Sequence, residues 1–362
     1  MSVLGSTSEI NCGIKKATTW GTEVQVTGSS AIALFPSSLQ LNDSFADFLS
    51  RDIGQGNFRT SQARLQEDCS FSMSFDTTYA SNGVYALLAG FMGTESSPTE
   101  TTVGQSDYSC TMDFASSVYG NFWTLAYSIE TDRVRAVPAF KVVSVTYTHA
   151  VNGAGTWTFQ CVGDRSIVSS LTTVGNLQGL TTYSYETATL GGTNHYARIN
   201  TQSGAGLSLS DNFTGIGWTL TMTRPHQPLF GLRGENTKYT LEPRQNGPID
   251  CALKVDFTEV DDASLDMLSH WTNATKLKAE FFFDGTQIAS GVNRSLKIQF
   301  PYLQATGQGP TGHDWANNNS LLLPSLTYRA LKASAAPTGM TGVTNLVRFT
   351  PIFETRSTKW FS

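Results

Sequence analysis

Apolar and polar residues alternate along much of the chain. Trp123, Leu125, Tyr127 and Ile129 are spaced by small or polar residues, as are Val143, Val145 and Tyr147, and then Trp157, Phe159 and Cys161. A period of two places apolar side chains on one face of a strand, so these segments predict strands. The "NGAG" at residues 152–155 predicts a hairpin turn between the last two. Further on, Trp218, Leu220 and Met222 alternate with Thr, and Leu296, Ile298 and Phe300 alternate again. "AEFFFDGTQIASG" predicts a hairpin turning at Asp284-Gly285. Helical spacing is rarer. Val84, Leu87, Leu88 and Phe91 outline one face of a short amphipathic helix. Leu265, Leu268 and Trp271 outline a second, which Asp261 or Asp262 is placed to cap.

The pattern repeats. "LQLNDSF" at residues 39–45 returns as "LSLSDNF" at 207–213, and "DCSFSMSF" at 68–75 returns as "DCALKVDF" at 250–257. Phe71, Met73 and Phe75 then match Leu253, Val255 and Phe257, and a short helix follows in each case. Two matches in the same order predict an internal duplication. The expected fold is all-β with minor helix: two tandem copies of a β-barrel or sandwich domain, each with a short flanking helix. The expected layout is an N-terminal arm at 1–19, a first domain at 20–171, a linker or arm at 172–194 and a second domain at 195–362. The Thr- and Gly-rich run "TTVGNLQGLTTYSYETATLGGTN" sets the boundary. Phe71, Phe75, Leu87, Leu88, Leu253, Phe257, Leu268 and Trp271 are the repeat-signature core and are expected to be buried.

Composition narrows the function classes. Charged residues make up 15% of the 362, against about 25% in ordinary domains. Net charge is −5 with no basic cluster, which speaks against a protein that grips nucleic acid. The five cysteines show no CxxC spacing, so neither a zinc site nor a disulfide framework is expected, and folding in a reducing compartment fits. "MSVLGSTSE" lacks the features of a secretory leader, and "VYALLAGFMG" is too short to span a bilayer. No two of the five histidines have ligand spacing, and no GxSxG, Walker or GxGxxG motif occurs. Glu259, Asp261, Asp262 and Asp266 lack the Gly of a calcium loop. No catalytic, cofactor or metal site is expected, and the chain does not read as an enzyme. A sugar-binding module is the rival reading, since Trp20, Trp271, Trp315 and Trp360 are not tied to a core phase.

Several stretches together carry a family resemblance. They are "ATTWGTEVQV" from Ala17, "DCSFSMSF" with "GVYALLAGFMG", "FKVVSVTYTHAVNGAGTWTFQCVGD" from Phe140, "SLSDNFTGIGWTLTM" and "DCALKVDF". In these the chain resembles the tail tube proteins of long-tailed bacteriophages (siphophages), particularly those with two tube folds fused in one polypeptide. The resemblance implies a structural virion protein whose domains join edge to edge around a lumen. Its rings stack into a tube built around a tape measure protein, closed by a terminator and joined to baseplate or tip proteins, through which DNA passes without specific binding. Assembly would take place in the host cytoplasm, without membrane insertion. Two copies of a ring-forming domain in one chain would let three chains close a ring of six domains, and their unequal lengths make its symmetry pseudo-sixfold; the rival is six chains per ring, with one domain lining the lumen and the other decorating the outside. A tail-completion or baseplate-hub protein of the same fold is the alternative. No lumen-lining residue is assigned by the sequence.

Overall fold

The computed structural model describes residues 11–49, 62–77, 79, 83–105, 107–128, 133–150, 153–180, 195–213, 215–230, 239–257, 261–262, 265–307, 325–354 and 357–360. The first half runs β1 (Cys12–Lys16), β2 (Ile32–Leu34), β3 (Ser38–Leu49), β4 (Gln62–Asp76) and α1 (Gly83–Met92). Four short strands follow: β5 (Gly93–Glu95), β6 (Thr99–Glu100), β7 (Asp107–Ser109) and β8 (Met112–Phe114). Then come β9 (Trp123–Ser128), β10 (Val134–Ala150), β11 (Thr156–Gly163), β12 (Ile167–Val168) and α2 (Val174–Gln178).

The second half runs β13 (Tyr196–Thr201), β14 (Gly215–Thr223), β15 (His226–Phe230), β16 (Thr240–Gln245) and β17 (Asp250–Phe257). After the two-residue strands β18 (Asp261–Asp262) and β19 (Leu265–Asp266) come α3 (Met267–Thr272) and β20 (Leu277–Ala289). β21 (Val292–Ala305), β22 (Ser325–Ala330) and β23 (Arg348–Glu354) complete it. Strands dominate and the described pairings are all antiparallel, so the fold is all-β with minor helix.

The two halves repeat one sheet. In the first, the strands lie side by side as β1, β9, β10, β11, β4, β3. In the second, the order is β13, β20, β21, β22, β17, β14. A short return strand then pairs beside β10 or β21: β12 in one half, β23 in the other. The registers agree as well. Ile14 faces Leu125 as Ile199 faces Ala279. Trp123 faces Phe140 and Leu125 faces Val137, so two residues of β9 span three of β10. Leu277 faces Leu303 and Ala279 faces Phe300, the same bulge in the second half. Pro138 and Pro301 sit inside these bulges, where a residue without an N–H costs no ladder bond. Thr124 Oγ1 donates to the Pro138 carbonyl at 2.6 Å, and Gln202 Nε2 donates to that of Pro301 at 3.0 Å.

Several expectations change in detail. The DC strands β4 and β17 hold the same place in their sheets, with Met73 facing Leu39 and Val255 facing Trp218. The true counterparts of Leu39 and Leu41 are therefore Trp218 and Leu220. The "LSLSDNF" match is offset: Leu209–Asp211 is a 3-10 turn, and Asn212 bridges Arg198 where β2 pairs with β1. Asp284-Gly285 lies within β20, and the chain turns at Ser290-Gly291, Gly291 having φ +80°. Residues 12–16 of the expected arm form β1, and 174–178 of the expected linker form α2, whose Leu177 packs with Val26 and Ala126. Residues 181–194 lie outside the described set. Asp261 and Asp262 pair with β19 rather than capping α3, which begins only at Met267. The pairings form an open, branched network, not a closed barrel.

One core serves both halves. Met73, Val145, Phe159 and Trp157 from the first join Leu220, Leu253, Tyr328 and Phe349 from the second in a single apolar cluster. α1 is apolar all round, not amphipathic: Val84 to Ala89, Phe91 and Met92 are buried, as expected of a helix enclosed on every side. Tyr85 stacks on Phe353 of β23, which ties the helix of one half to the last strand of the other.

Candidate functional site

The most distinctive feature is a joint between the halves. The C-terminal part of β10 pairs with β14 over seven residue pairs, from Ser144–Thr223 to Ala150–Gly217. This fuses the two sheets into a run of seven strands: β3, β4, β11, β10, β14, β17 and β22. Register decides which side chains share a face. Leu39, Met73, Phe159, Val145, Met222 and Cys251 form one row toward the core. The neighbouring row on the other face is Ser38, Ser74, Thr158, Thr146, Thr221, Ala252 and Arg329.

That outer face is polar and carries no net positive charge, since the exposed Asp76 of β4 lies on it besides two ion pairs. The first half contributes Gln40, Ser72, Gln160, Ser144 and Thr148, with the Ser74 and Thr158 hydroxyls 3.1 Å apart. The second half contributes Thr219 and Thr223 together with two exposed ion pairs, Lys254–Asp256 at 3.0 Å and Arg329–Asp250 at 3.2 Å. Each pair cancels its own charge, so the face as a whole offers phosphates little to hold. The sequence shows this only as Thr at every second position, a signal shared by many strands.

Below the joint lies an aromatic cluster. Tyr147 sits 4.8 Å from Trp218 and 4.4 Å from Trp157, ring centre to ring centre. His149 faces Trp218 in register and is 1% exposed, and its Nδ1 is 3.1 Å from the Tyr147 hydroxyl. Burial lowers the His149 pKa from 6.5 to about 4, with His195 adding to the shift.

A second contact reinforces the joint. The hairpin of β15 and β16, an extension of β14 and β17, lies on the first half. Lys141 Nζ meets Glu242 at 2.5 Å, and Glu242 also accepts from the Gly120 N–H at 2.6 Å. Burial lowers the pKa of the Lys141 ammonium, and Glu242 opposes that shift. Trp20 Nε1 donates to the Thr240 carbonyl at 2.8 Å, Thr240 Oγ1 donates to that of Gly163 at 3.1 Å, and the Arg165 guanidinium lies over Tyr239. The fully buried Arg224 donates to the Met92 and Ala115 carbonyls, both at 3.1 Å, and so caps the C-terminus of α1 from the other half.

Of the repeat-signature residues, Phe71, Phe75, Leu87, Leu88, Leu253 and Phe257 are buried in the common core. Trp271 is half-buried against it, and the side chain of Leu268 lies outside the described set. These residues underlie the site and do not form it. The five cysteines are buried and free, and the Cys12 thiol is pushed up to about 12 by burial. Among the described residues there is no cluster of three metal-ligating side chains and no helix long and apolar enough to cross a membrane. Trp123, Trp157, Trp218 and Trp360 are buried, Trp20 and Trp271 are half-buried, and Trp315 lies outside the described residues. A coplanar exposed sugar platform is therefore not formed by the described tryptophans.

No family model matches the chain, and no curated protein does. Among solved structures, the crystal structure of HCR/D-Sa-GBL1/C aligns over 86% of this chain and 94% of its own, at 9% identity and a TM-score of 0.11. Similarity at that level carries no argument about fold or function.

Proposed function

We propose that this chain is a structural virion protein that polymerises as stacked rings into the tail tube of a long-tailed bacteriophage, the conduit for DNA delivery. One observation carries the reading: β14 is joined on both edges, while its counterpart β3 is paired with β4 alone among the described residues. What β10 supplies to β14 within the chain, a second copy can supply to β3. Such a joint uses two different surfaces, so it repeats from copy to copy until the accumulated rotation closes a ring. An open edge of this kind invites uncontrolled association unless a defined partner covers it.

Each chain brings two sheets, so three chains complete a ring of six with pseudo-sixfold symmetry. Covalent linkage makes the arrival of the second sheet intramolecular, which favours closure. The Ser/Thr face, which carries no net positive charge, suits a lumen through which DNA must slide. On this reading the tube forms in the host cytoplasm around a tape measure protein, ends at a terminator and meets baseplate or tip proteins. Negative-stain microscopy of the purified chain tests it. Rings or tubes are expected, and a protein that stays monomeric at every concentration would overturn the reading.

A further inference from the structure

A cleft opens where the β15–β16 hairpin lies on the first half. Its volume is about 580 Å³, within the range of small-molecule sites. The first half supplies Ser116, Ser117, Tyr119 and Lys141 to its walls, and the hairpin supplies His226 and Arg244. Lys141, Arg224 and Arg244 gather there around one carboxylate, that of Glu242, which is taken by Lys141. Neither guanidinium has a carboxylate partner among the described residues. Arg244 is exposed, and its guanidinium lies 5.6 Å from the Tyr119 ring centre, with Lys141 Nζ 5.8 Å from the same ring. Arg224 is fully buried and stands behind the wall. It donates to Gln245 Oε1, which lines the cleft, at 3.2 Å, and its Nε has no acceptor among the described residues. A guanidinium shut away from water without a counter-ion is destabilising, and an anion in the adjoining cleft offsets that.

His226 adds a donor that protonation can switch on. Its Nδ1–H donates to the Arg224 carbonyl at 2.8 Å, so the neutral ring leaves Nε2 as an acceptor. Burial, Lys141 and Arg224 hold the ring neutral, while the Arg224 carbonyl and Glu242 oppose them. A bound anion joins that opposition, and a protonated Nε2 then donates to it. The second half has no such cluster among its described residues. Phe140 and Leu303 occupy one position, so Gln304 stands where Lys141 does, and Ala274 precedes Leu277 as Gly120 precedes Trp123. Gln304 Nε2 donates to the Ala274 carbonyl at 3.1 Å. The cleft therefore belongs to the joint and not to the repeated fold. We infer that it binds an oxyanion of the phosphate or sulfate class, free or carried by a small organic molecule, on Arg244 and His226 with Arg224 behind them. Charge-assisted N–H donors hold such oxygens more strongly than neutral ones. Every residue of the cleft lies within one chain, so the inference does not depend on the ring reading.

Calorimetric titration of the full-length chain with sodium sulfate at fixed ionic strength tests it. Saturable binding at a single site per chain is expected. It should tighten from about pH 7 to about pH 5, where sulfate keeps its charge and His226 can gain a proton. Arg244→Ala is expected to weaken binding by about tenfold, with the unfolding midpoint in the absence of sulfate unchanged. Lys332→Ala, at an exposed position of the second half, is expected to leave binding as it was. Parallel titrations with inorganic phosphate and phenyl phosphate separate the two sources. Tighter binding of phenyl phosphate assigns the site to an organic phosphate walled by Tyr119, and equal or weaker binding assigns it to the free oxyanion. No saturable binding of any of the three anions, or equal weakening by Arg244→Ala and Lys332→Ala, would overturn the site.

Discussion

In the first half Lys141 reaches a glycine turn and binds Glu242 of the neighbouring hairpin; in the second, Gln304 reaches an alanine turn and, among the described residues, binds Ala274 and Tyr302 of its own half. The strands around these residues match in order, register and bulge. The difference is confined to what each face has to hold. A face that is always occupied, because its partner is part of the same polypeptide, can bury an ion pair whose removal of one member is strongly destabilising. The counterpart face carries an amide in the place of that ion pair, with Gln304 half-exposed. Duplication therefore supplies the architecture, and divergence at a few contact residues sets the occupied face apart from its counterpart.

The largest test of equivalence lies in the core. Phe75 and Phe257 hold the same place in β4 and β17 and are both nearly inaccessible, at 2% and 3%. Replacing either with Ala should cost about 3–5 kcal/mol in denaturant-induced unfolding. A loss below about 1 kcal/mol at one of them would show that the halves do not share a core in the same way.

The second test separates the closed joint from the open one. The unfolded chain protonates His149 near its ordinary 6.5, while the folded joint refuses the proton until about 4. Over that window the unfolded state binds more protons, so stability falls as pH falls and levels off below about 4. The loss is on the order of 3 kcal/mol for His149. His226, also lowered to about 4 chiefly by burial, adds a contribution in the same direction. His149→Phe should flatten the pH dependence of the unfolding midpoint between 4 and 6.5 in part; an unchanged slope would remove His149 from the account.

The smallest effect is the sharpest comparison. Gly120 at φ +81° tolerates the left-handed region that Ala274 at +49° occupies under strain. Gly120→Ala should destabilise by about 1 kcal/mol, and Ala274→Gly should stabilise by up to about 1 kcal/mol. Matched thermal melts would show it, and shifts of the same sign would mean that the two turns are not equivalent.

The sequence exposes the part of this fold that faces the core. The DC strands are legible because Cys69, Phe71 and Phe75 and their counterparts Cys251, Leu253 and Phe257 sit on one phase of the alternation against a common interior. Leu39 and Leu41 show where legibility stops. Their counterparts are Trp218 and Leu220, which share apolar phase but not identity, so a chance likeness eleven residues away at Leu207 and Leu209 reads as the better match. The Asp284-Gly285 pair reads as a turn because local chemistry favours one, yet pairing to β21 carries the strand through it. The helix α1 reads as amphipathic, although Ala86 and Ala89 are buried with the larger residues because strands of both halves close over it. The joint itself is invisible to local pattern. Pairing of β10 with β14 joins residues some seventy positions apart, and no period within either strand names its partner.

Image reconstruction of assembled tubes tests the central claim most directly. The account predicts three chains per ring, with both halves at the lumen and the Ser/Thr rows of β3, β4, β11, β10, β14, β17 and β22 facing inward. Each β3 should lie against the second half of the next chain. Six chains per ring, or one half at the lumen with the other decorating the outside, would contradict it.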